Sequence, residues 1–250
     1  MMERIDFFHL QINAGKIIEF LSLLDENIIA KNKTMQVTGV NPYTFMLAKK
    51  DRELAASINK SDLVNIDGIS LVWGLRLFGH KVPERVACPD VFFKLLEMAQ
   101  LKKYSVYFLG TSPGEIIVLV EKVKNKYPLI HIAGYHHGYF RSADEAHIVK
   151  EIRSSGADLL FVGMPSPQKE IFIGKNKLAM QVAVCFGVGG VFDILTGKTK
   201  RAPVFMQKIC LEWLYRFWQE PRKMICRDFK TIDFLFFLIK EKLKTLLQRS

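Results

Sequence analysis

Short apolar runs alternate with longer mixed segments between about residues 34 and 200. Several of the runs are continuously apolar, which is typical of strands buried on both faces of a sheet. The segments between them have the length of helices. The predicted strands are 35–40, 63–66, 105–109, 130–133, 159–162 and 182–186, and the predicted helices are 43–58, 91–100, 115–126, 143–154 and 169–179.

This alternation predicts βα units and an α/β fold, a Rossmann-like, mostly parallel sheet flanked by helices. The first 30 residues indicate one strand and one helix, and after Pro203 the pattern is wholly helical. We therefore expect a core at 1–200 and a helical, basic appendage at 201–250. The chain has 250 residues, 49% of them apolar, which suffices for such a core.

Positive charge is concentrated near the C-terminus. The net charge is +11, and residues 198–250 hold 13 Lys and Arg against 5 Asp and Glu. This asymmetry favours nucleic acid, an anionic membrane surface or phosphorylated ligands as partners. The N-terminus lacks the pattern of a secretory signal, and no apolar run approaches the ~20 residues that span a bilayer. Widely spaced cysteines indicate reduced cytosolic thiols: Cys88, Cys185, Cys210 and Cys226.

Small or polar residues follow each predicted strand, at the edge where open α/β sheets bind ligands. Asn41-Pro42 has the form of a helix start, a capping side chain followed by proline. Asp67 is either a helix cap or a general base for a hydroxyl substrate. The glycines at 187–190 do not match the spacing of the dinucleotide-binding fingerprint, and the chain has no P-loop.

No metal site or cofactor is expected. The chain contains no Asp-x-Asp pair, and His136-His137 has no evident third ligand. Helix N-termini and cations would then neutralise a bound diphosphate.

Four segments in this order are more specific than any single motif: NIDGIS (65–70), GMPSPQKEIFI (163–173), GVGGVFDILTGKTKRAP (187–203) and LEWLYRFWQEPRK (211–223). Over residues 35–228 they resemble the WecG/TagA/CpsF family of bacterial glycosyltransferases. The resemblance implies an inverting, metal-independent enzyme with a Rossmann-like core. Such an enzyme moves a sugar from a UDP-sugar donor to an undecaprenyl-diphosphate-linked sugar during synthesis of cell-surface polysaccharide, teichoic acid or exopolysaccharide.

The resemblance also implies roles for individual residues. Asp67 matches the proposed base, and Asn41 matches the family's Asn after the first strand. Gly39 stands where the family often has Thr, and Lys169 stands where it commonly has Gln. Lys223 and Cys226 stand where some members have Arg. The substrate-binding residues expected from the motifs are Gly187, Gly189, Gly190, Asp193, Arg201, Lys169, Gln168, Arg216, Arg222 and Arg227.

The same sequence features allow two other functions. One is a nucleotide-binding oxidoreductase on a similar sheet, although this chain lacks the dinucleotide-binding fingerprint. The other is a basic nucleic-acid-binding protein, which predicts steep salt dependence. Both rank below the transferase, so we expect no nucleic acid partner.

The last predicted helix, from about residue 229, indicates how the enzyme binds near its lipid-linked acceptor. Its apolar residues Ile232, Leu235, Phe236, Ile239, Leu243, Leu246 and Leu247 form one stripe, and lysines follow it. This favours an anionic membrane surface and a cytoplasmic, peripheral location on the inner face of the membrane. A homo-oligomer interface is the alternative.

Overall fold

A computed structural model describes residues 2–31, 33–203, 205–206 and 212–248, with only the backbone at 213, 216 and 222–229. The strands are β1 Glu3–Phe7, β2 Leu10–Ala14, β3 Met35–Val40, β4 Leu63–Ile66, β5 Ser105–Gly110, β6 His131–His136, β7 Leu159–Gly163 and β8 Val184–Gly187. The helices are α1 Ile17–Ala30, α2 Pro42–Ala48, α3 Arg52–Asn59, α4 Ile69–Leu77, α5 Cys88–Lys102, α6 Pro113–Lys126, α7 Glu145–Ser154, α8 Gln168–Met180, α9 Val191–Leu195, α10 Glu212–Gln219 and α11 Pro221–Leu247.

The predicted α/β architecture is confirmed. Six strands form a parallel sheet in the order β4-β3-β8-β7-β5-β6. Apolar residues of these strands contact helices on both faces, with α1, α5 and α6 on one side and α2, α3, α7 and α8 on the other. Because the strands run parallel, their carboxyl ends meet at one edge.

Two predicted elements were wrong in detail. The N-terminal residues form an antiparallel hairpin of β1 and β2 before α1, rather than a single strand. The helix expected at 43–58 is two helices, α2 and α3. Asp51 separates them, because its Oδ1 accepts hydrogen bonds from the backbone amides of Glu53 and Leu54, both at 3.0 Å. A side chain that caps two free amides begins a new helix.

Helix α11 is part of the protein core. Phe234, Phe237 and Leu238 are buried, and the Phe234 ring lies 5.1 Å from that of Phe45 in α2. Leu238 contacts α4 so closely that a Cβ at Gly74 would lie 2.9 Å from its Cδ1. Helix α11 therefore packs on both α2 and α4.

The opposite side of α11 carries the predicted apolar stripe. All seven of its residues are exposed, with Leu235 the least exposed at 41% and Leu247 the most at 76%. The stripe is thus confirmed as a single solvent-facing surface. Among the described residues, none of the helices combines the length and the apolar character that a membrane span needs.

Candidate active site

A cleft of about 410 Å³ opens at the carboxyl edge of the parallel sheet. Its walls come from the residues that follow β3, β4, β5, β7 and β8, as predicted for a sheet of this type. The predicted site residues that line it are Asn41, Asp67, Lys169, Gly187, Gly189, Gly190 and Asp193.

The remaining predicted residues lie elsewhere. Gln168 is exposed at the start of α8 and is not among the residues lining the cleft. Arg201 lies beside the cleft and is engaged with another side chain, as described below. The side chains of Arg216, Arg222 and Arg227 lie outside the described part of the chain.

Asp67 caps a helix, but not the one that follows it. The N-cap of α4 is Gly68, without a side-chain hydrogen bond. Asp67 Oδ1 instead accepts a 2.6 Å hydrogen bond from the backbone amide of Cys88, in the first turn of α5. The Cys88 thiol is a further hydrogen-bond partner of this carboxylate. Cys88 therefore orients the Asp67 carboxylate, which lines the cleft.

Asn41 combines the predicted cap with a position in the cleft. Its Oδ1 accepts hydrogen bonds from the backbone amide of Thr44 at 3.0 Å and from the Thr44 hydroxyl at 3.4 Å. This fixes the amide plane and directs Nδ2, a donor, away from the helix. Gly68 permits the close approach of the two strand ends, because a Cβ there would lie 2.6 Å from Pro42 Cδ and 3.3 Å from Asn41 Cβ.

The glycine turn at 187–190 forms the floor of the cleft. Gly189 has φ +56°, a conformation that favours glycine. The amides of Val188 and Gly189 both donate to the Val162 carbonyl, at 3.0 and 3.2 Å. These bonds tie the turn to β7.

Glu115 lies at another part of the cleft wall. Lys198 Nζ donates to Glu115 Oε1 at 2.5 Å, and Thr111 Oγ1 donates to Oε2 at 2.6 Å. These two hydrogen bonds lower the pKa of Glu115 to about 2. The carboxylate is therefore ionised at neutral pH and accepts hydrogen bonds.

Glu115 and Tyr139 also line the cleft and were not predicted from the sequence. A signal for Glu115 existed, because Ser112 and Glu115 have the spacing of a capping box and form one. Its exposed Lys198 partner is 83 residues away along the chain.

The described cleft has more negative than positive side chains. The lysines that line it are Lys169 and Lys198. The carboxylates are Asp67, Glu115, Asp193 and Glu220. An anionic ligand therefore needs further positive charge from neighbouring segments.

Arg201 supplies a cation next to the cleft. Its Nη1 lies 2.6 Å from Asp90 Oδ1. Burial lowers the pKa of the Arg201 guanidinium, but the Asp90 hydrogen bond and the charges of Asp90, Glu212 and Asp67 outweigh it, so the pKa is raised. A second ion pair joins Arg85 to Glu212 in α10 at 3.1 Å. Residues 201 and 212 thus connect the C-terminal segment to the region around Asp67.

The histidine pair forms a local contact. His136 Nδ1 donates to the carbonyl oxygen of His137 at 2.7 Å. In the part of the chain that the structure describes, no three His, Cys, Asp or Glu side chains are grouped as metal ligands would be.

A Rossmann-like sheet carries a polar cleft at its carboxyl edge, with Asn41 and Asp67 directly after β3 and β4. The chain belongs to the Glycosyl transferase WecG/TagA/CpsF family, whose sequence model matches residues 5–248. It is therefore a glycosyltransferase, and the oxidoreductase alternative is not supported.

Named relatives agree with this membership. The chain is 34% identical over 209 residues to the N-acetylglucosaminyldiphosphoundecaprenol N-acetyl-beta-D-mannosaminyltransferase of Bacillus spizizenii, covering 84% of this chain and 80% of the relative. It is also 34% identical over 207 residues to the Bacillus subtilis protein of the same name, covering 83% and 80%.

Proposed function

We propose that this glycosyltransferase moves a sugar from a UDP-sugar onto a sugar linked to undecaprenyl diphosphate, with inversion and without a metal ion. The Bacillus relatives are named for an acceptor of this class. The observation that carries the proposal is that Asp67, oriented by the Cys88 backbone amide, and Asn41, oriented by Thr44, line the same cleft.

Inverting transfer is a single displacement and needs one base at the acceptor hydroxyl. Asp67 Oδ2 takes the hydroxyl proton as the acceptor oxygen attacks the anomeric carbon. The Cys88 amide holds the other oxygen, so the carboxylate does not need to reorient. Asn41 Nδ2 donates to a sugar or diphosphate oxygen nearby.

The nucleoside half of the donor occupies the other part of the cleft. Glu115 is ionised and held by two hydrogen bonds, which suits an acceptor for ribose hydroxyls. Tyr139 is exposed beside it and offers a ring face to a base.

The direct test combines donor and acceptor. UDP release is measured with a set of UDP-sugars and a short lipid-diphosphate N-acetylglucosamine, and the product is analysed by mass spectrometry. Transfer of one hexose unit to the lipid is the expected result. UDP release without a glycosylated lipid, or no release with any UDP-sugar, contradicts the proposal.

We predict that catalysis is independent of divalent metal ions. The chain has no Asp-x-Asp pair, and cations of the protein are expected to take the place of a metal at the diphosphate. Initial rates in EDTA should equal those in Mg²⁺. Loss of the rate in EDTA, with recovery on adding Mg²⁺, contradicts this.

We also predict that Arg216 and Arg222 act on anionic groups. The described cleft is rich in carboxylates, so residues 201–250 are proposed as the appendage that supplies the missing positive charge and completes the active site. Replacing either arginine with Ala should raise KM, lower kcat or both, by about tenfold or more, as for loss of a charge-assisted hydrogen bond. Lys150→Ala, at an exposed position on α7, is the control. Unchanged kinetics in both arginine variants would contradict the role.

We further propose that the exposed stripe of α11 binds the anionic inner face of the membrane, which makes the enzyme peripheral. The stripe adjoins the side of α11 that carries Leu238 and Lys242, and the ammonium of Lys242 donates to the Leu77 carbonyl of α4 at 2.8 Å. Trp73 and Leu77 of α4 are also exposed, at 51% and 45%. They extend the apolar surface, and Trp is favoured at membrane interfaces.

The lysines of α11 support binding of the stripe to an anionic membrane. Lys240 and Lys244 are exposed on the same helix as the stripe. Lysines next to an apolar face favour anionic lipid headgroups. Helix α4 begins directly after Asp67-Gly68, so this surface leads from the membrane to the proposed base.

A further inference from the structure

Lys169 and Glu170 are the only Asp, Glu, Lys or Arg residues among the described ones whose side chains are buried, at 6% and 1% exposure. Lysine is seldom buried unless it is paired. Replacing a buried ion pair by apolar side chains is often neutral or stabilising, so stability alone does not account for such a pair.

The cleft floor determines where Lys169 lies. Its stem passes beneath the glycine turn, because a Cβ on Gly187 would lie 3.3 Å from Lys169 Cδ and 3.4 Å from Cε. A Cβ on Gly189 would lie 3.7 Å from Cε. The lysine therefore fills the space that larger residues in the turn would occupy, and it lines the cleft.

The ammonium is held in place with one hydrogen to spare. Lys169 Nζ donates to Ser166 Oγ and to Glu170 Oε1. Ser166 Oγ in turn donates to the same Glu170 oxygen at 2.8 Å. An ammonium has three donors, so one N–H has no partner among the described residues.

The charge of Lys169 also acts on Cys88, which is hydrogen-bonded to Asp67. Burial raises the pKa of the Cys88 thiol well above its usual range and the Asp67 charge adds to this, while Lys169 opposes it. Lys169 therefore lies beside the glycine turn and close enough to act on Cys88, whose amide orients the proposed base. The other cleft lysine, Lys198, is half-exposed and bound to Glu115.

We infer that Lys169 is the cation that stabilises the departing nucleotide diphosphate, an inference that rests on the proposed function. As the acceptor oxygen bonds to the anomeric carbon, the bond from that carbon to the diphosphate oxygen breaks. The electron pair stays on the diphosphate, and the hydroxyl proton passes to Asp67. Lys169 loses no proton, and its third N–H donates to the diphosphate. A fixed charge in a site shielded from water is most effective for this purpose.

The test compares Lys169→Gln with wild type in binding UDP, UMP and uridine by calorimetry. Gln keeps a donor for Glu170 but loses the charge. We expect UDP to bind about 10- to 100-fold more weakly, as for loss of a charge-assisted hydrogen bond, and uridine to bind unchanged. Lys175→Gln, exposed on the same helix, is the matched control.

A double variant, Lys169→Met with Glu170→Gln, removes both buried charges and avoids leaving an unpaired carboxylate. It should also bind uridine normally and UDP weakly, with kcat lowered about 100-fold or more. If UDP and uridine weaken equally, or if both variants bind UDP as wild type does, Lys169 has only a structural role. Absence of UDP binding by wild type overturns the proposed function as well, whereas normal transfer by the variants overturns only the role of Lys169.

Discussion

Asp67→Asn is expected to lower kcat by about two to four orders of magnitude, the contribution of a positioned general base. The amide oxygen of Asn still accepts the hydrogen bond from the Cys88 backbone, so the start of α5 stays in place. The loss is then in proton transfer and not in folding. UDP binding should be nearly unchanged, since the base acts on the acceptor hydroxyl.

Asp144→Asn is the control, because Asp144 is half-exposed and forms its ion pair with Arg141, three residues away. Rates are measured by UDP release, with calorimetry for UDP affinity. A near-normal rate for Asp67→Asn would remove Asp67 as the base. Asp90, which lies in the first turn of α5, would then be tested next.

The combined change Phe236→Glu and Ile239→Glu should abolish binding to phosphatidylglycerol vesicles. Both residues are exposed, at 67% and 55%, and face away from the core. Loss of two apolar side chains that would enter the membrane should lower the membrane partition coefficient by about 100-fold or more. Vesicle sedimentation at low salt measures this. Activity on a water-soluble acceptor should persist, because the cleft is untouched.

Leu101→Glu with Leu129→Glu is the control, because it replaces two exposed apolar residues with Glu elsewhere on the surface. These leucines are about equally exposed, at 80% and 79%, and precede the amino ends of β5 and β6, opposite the cleft. The control should sediment as wild type does. A different result would show that the stripe is a subunit interface. In that case wild type does not sediment with the vesicles and is an oligomer, and only the α11 variant is a monomer.

Regular elements were predictable where one local pattern determined them. Buried parallel strands such as Leu159–Gly163 read as unbroken apolar runs, so their positions followed from sequence within a few residues. The break between α2 and α3 was missed because both helices continue one apolar pattern. Only the capping oxygen of Asp51 interrupts it.

The residues that line the cleft were predictable at the strand ends. The contacts between segments that are distant in the sequence were not. Asn41 was identified from its local cap, and Asp67 from its place after a strand. The partner of Asp67 is a backbone amide 21 residues away, and no periodicity indicates such a pairing. Likewise, the two faces of α11 followed from helical spacing, but which face is buried depends on α2 and α4.

Gly39 and Cys88 share one small space beside the cleft. A Cβ on residue 39 would lie 2.0 Å from the Cys88 sulfur, and Asn65 closes the same space with an amide 3.6 Å from that sulfur. A side chain at position 39 would therefore occupy the space of the Cys88 sulfur. Any larger residue at position 39 requires a smaller or displaced residue at position 88, so the start of α5 limits which residue can end β3.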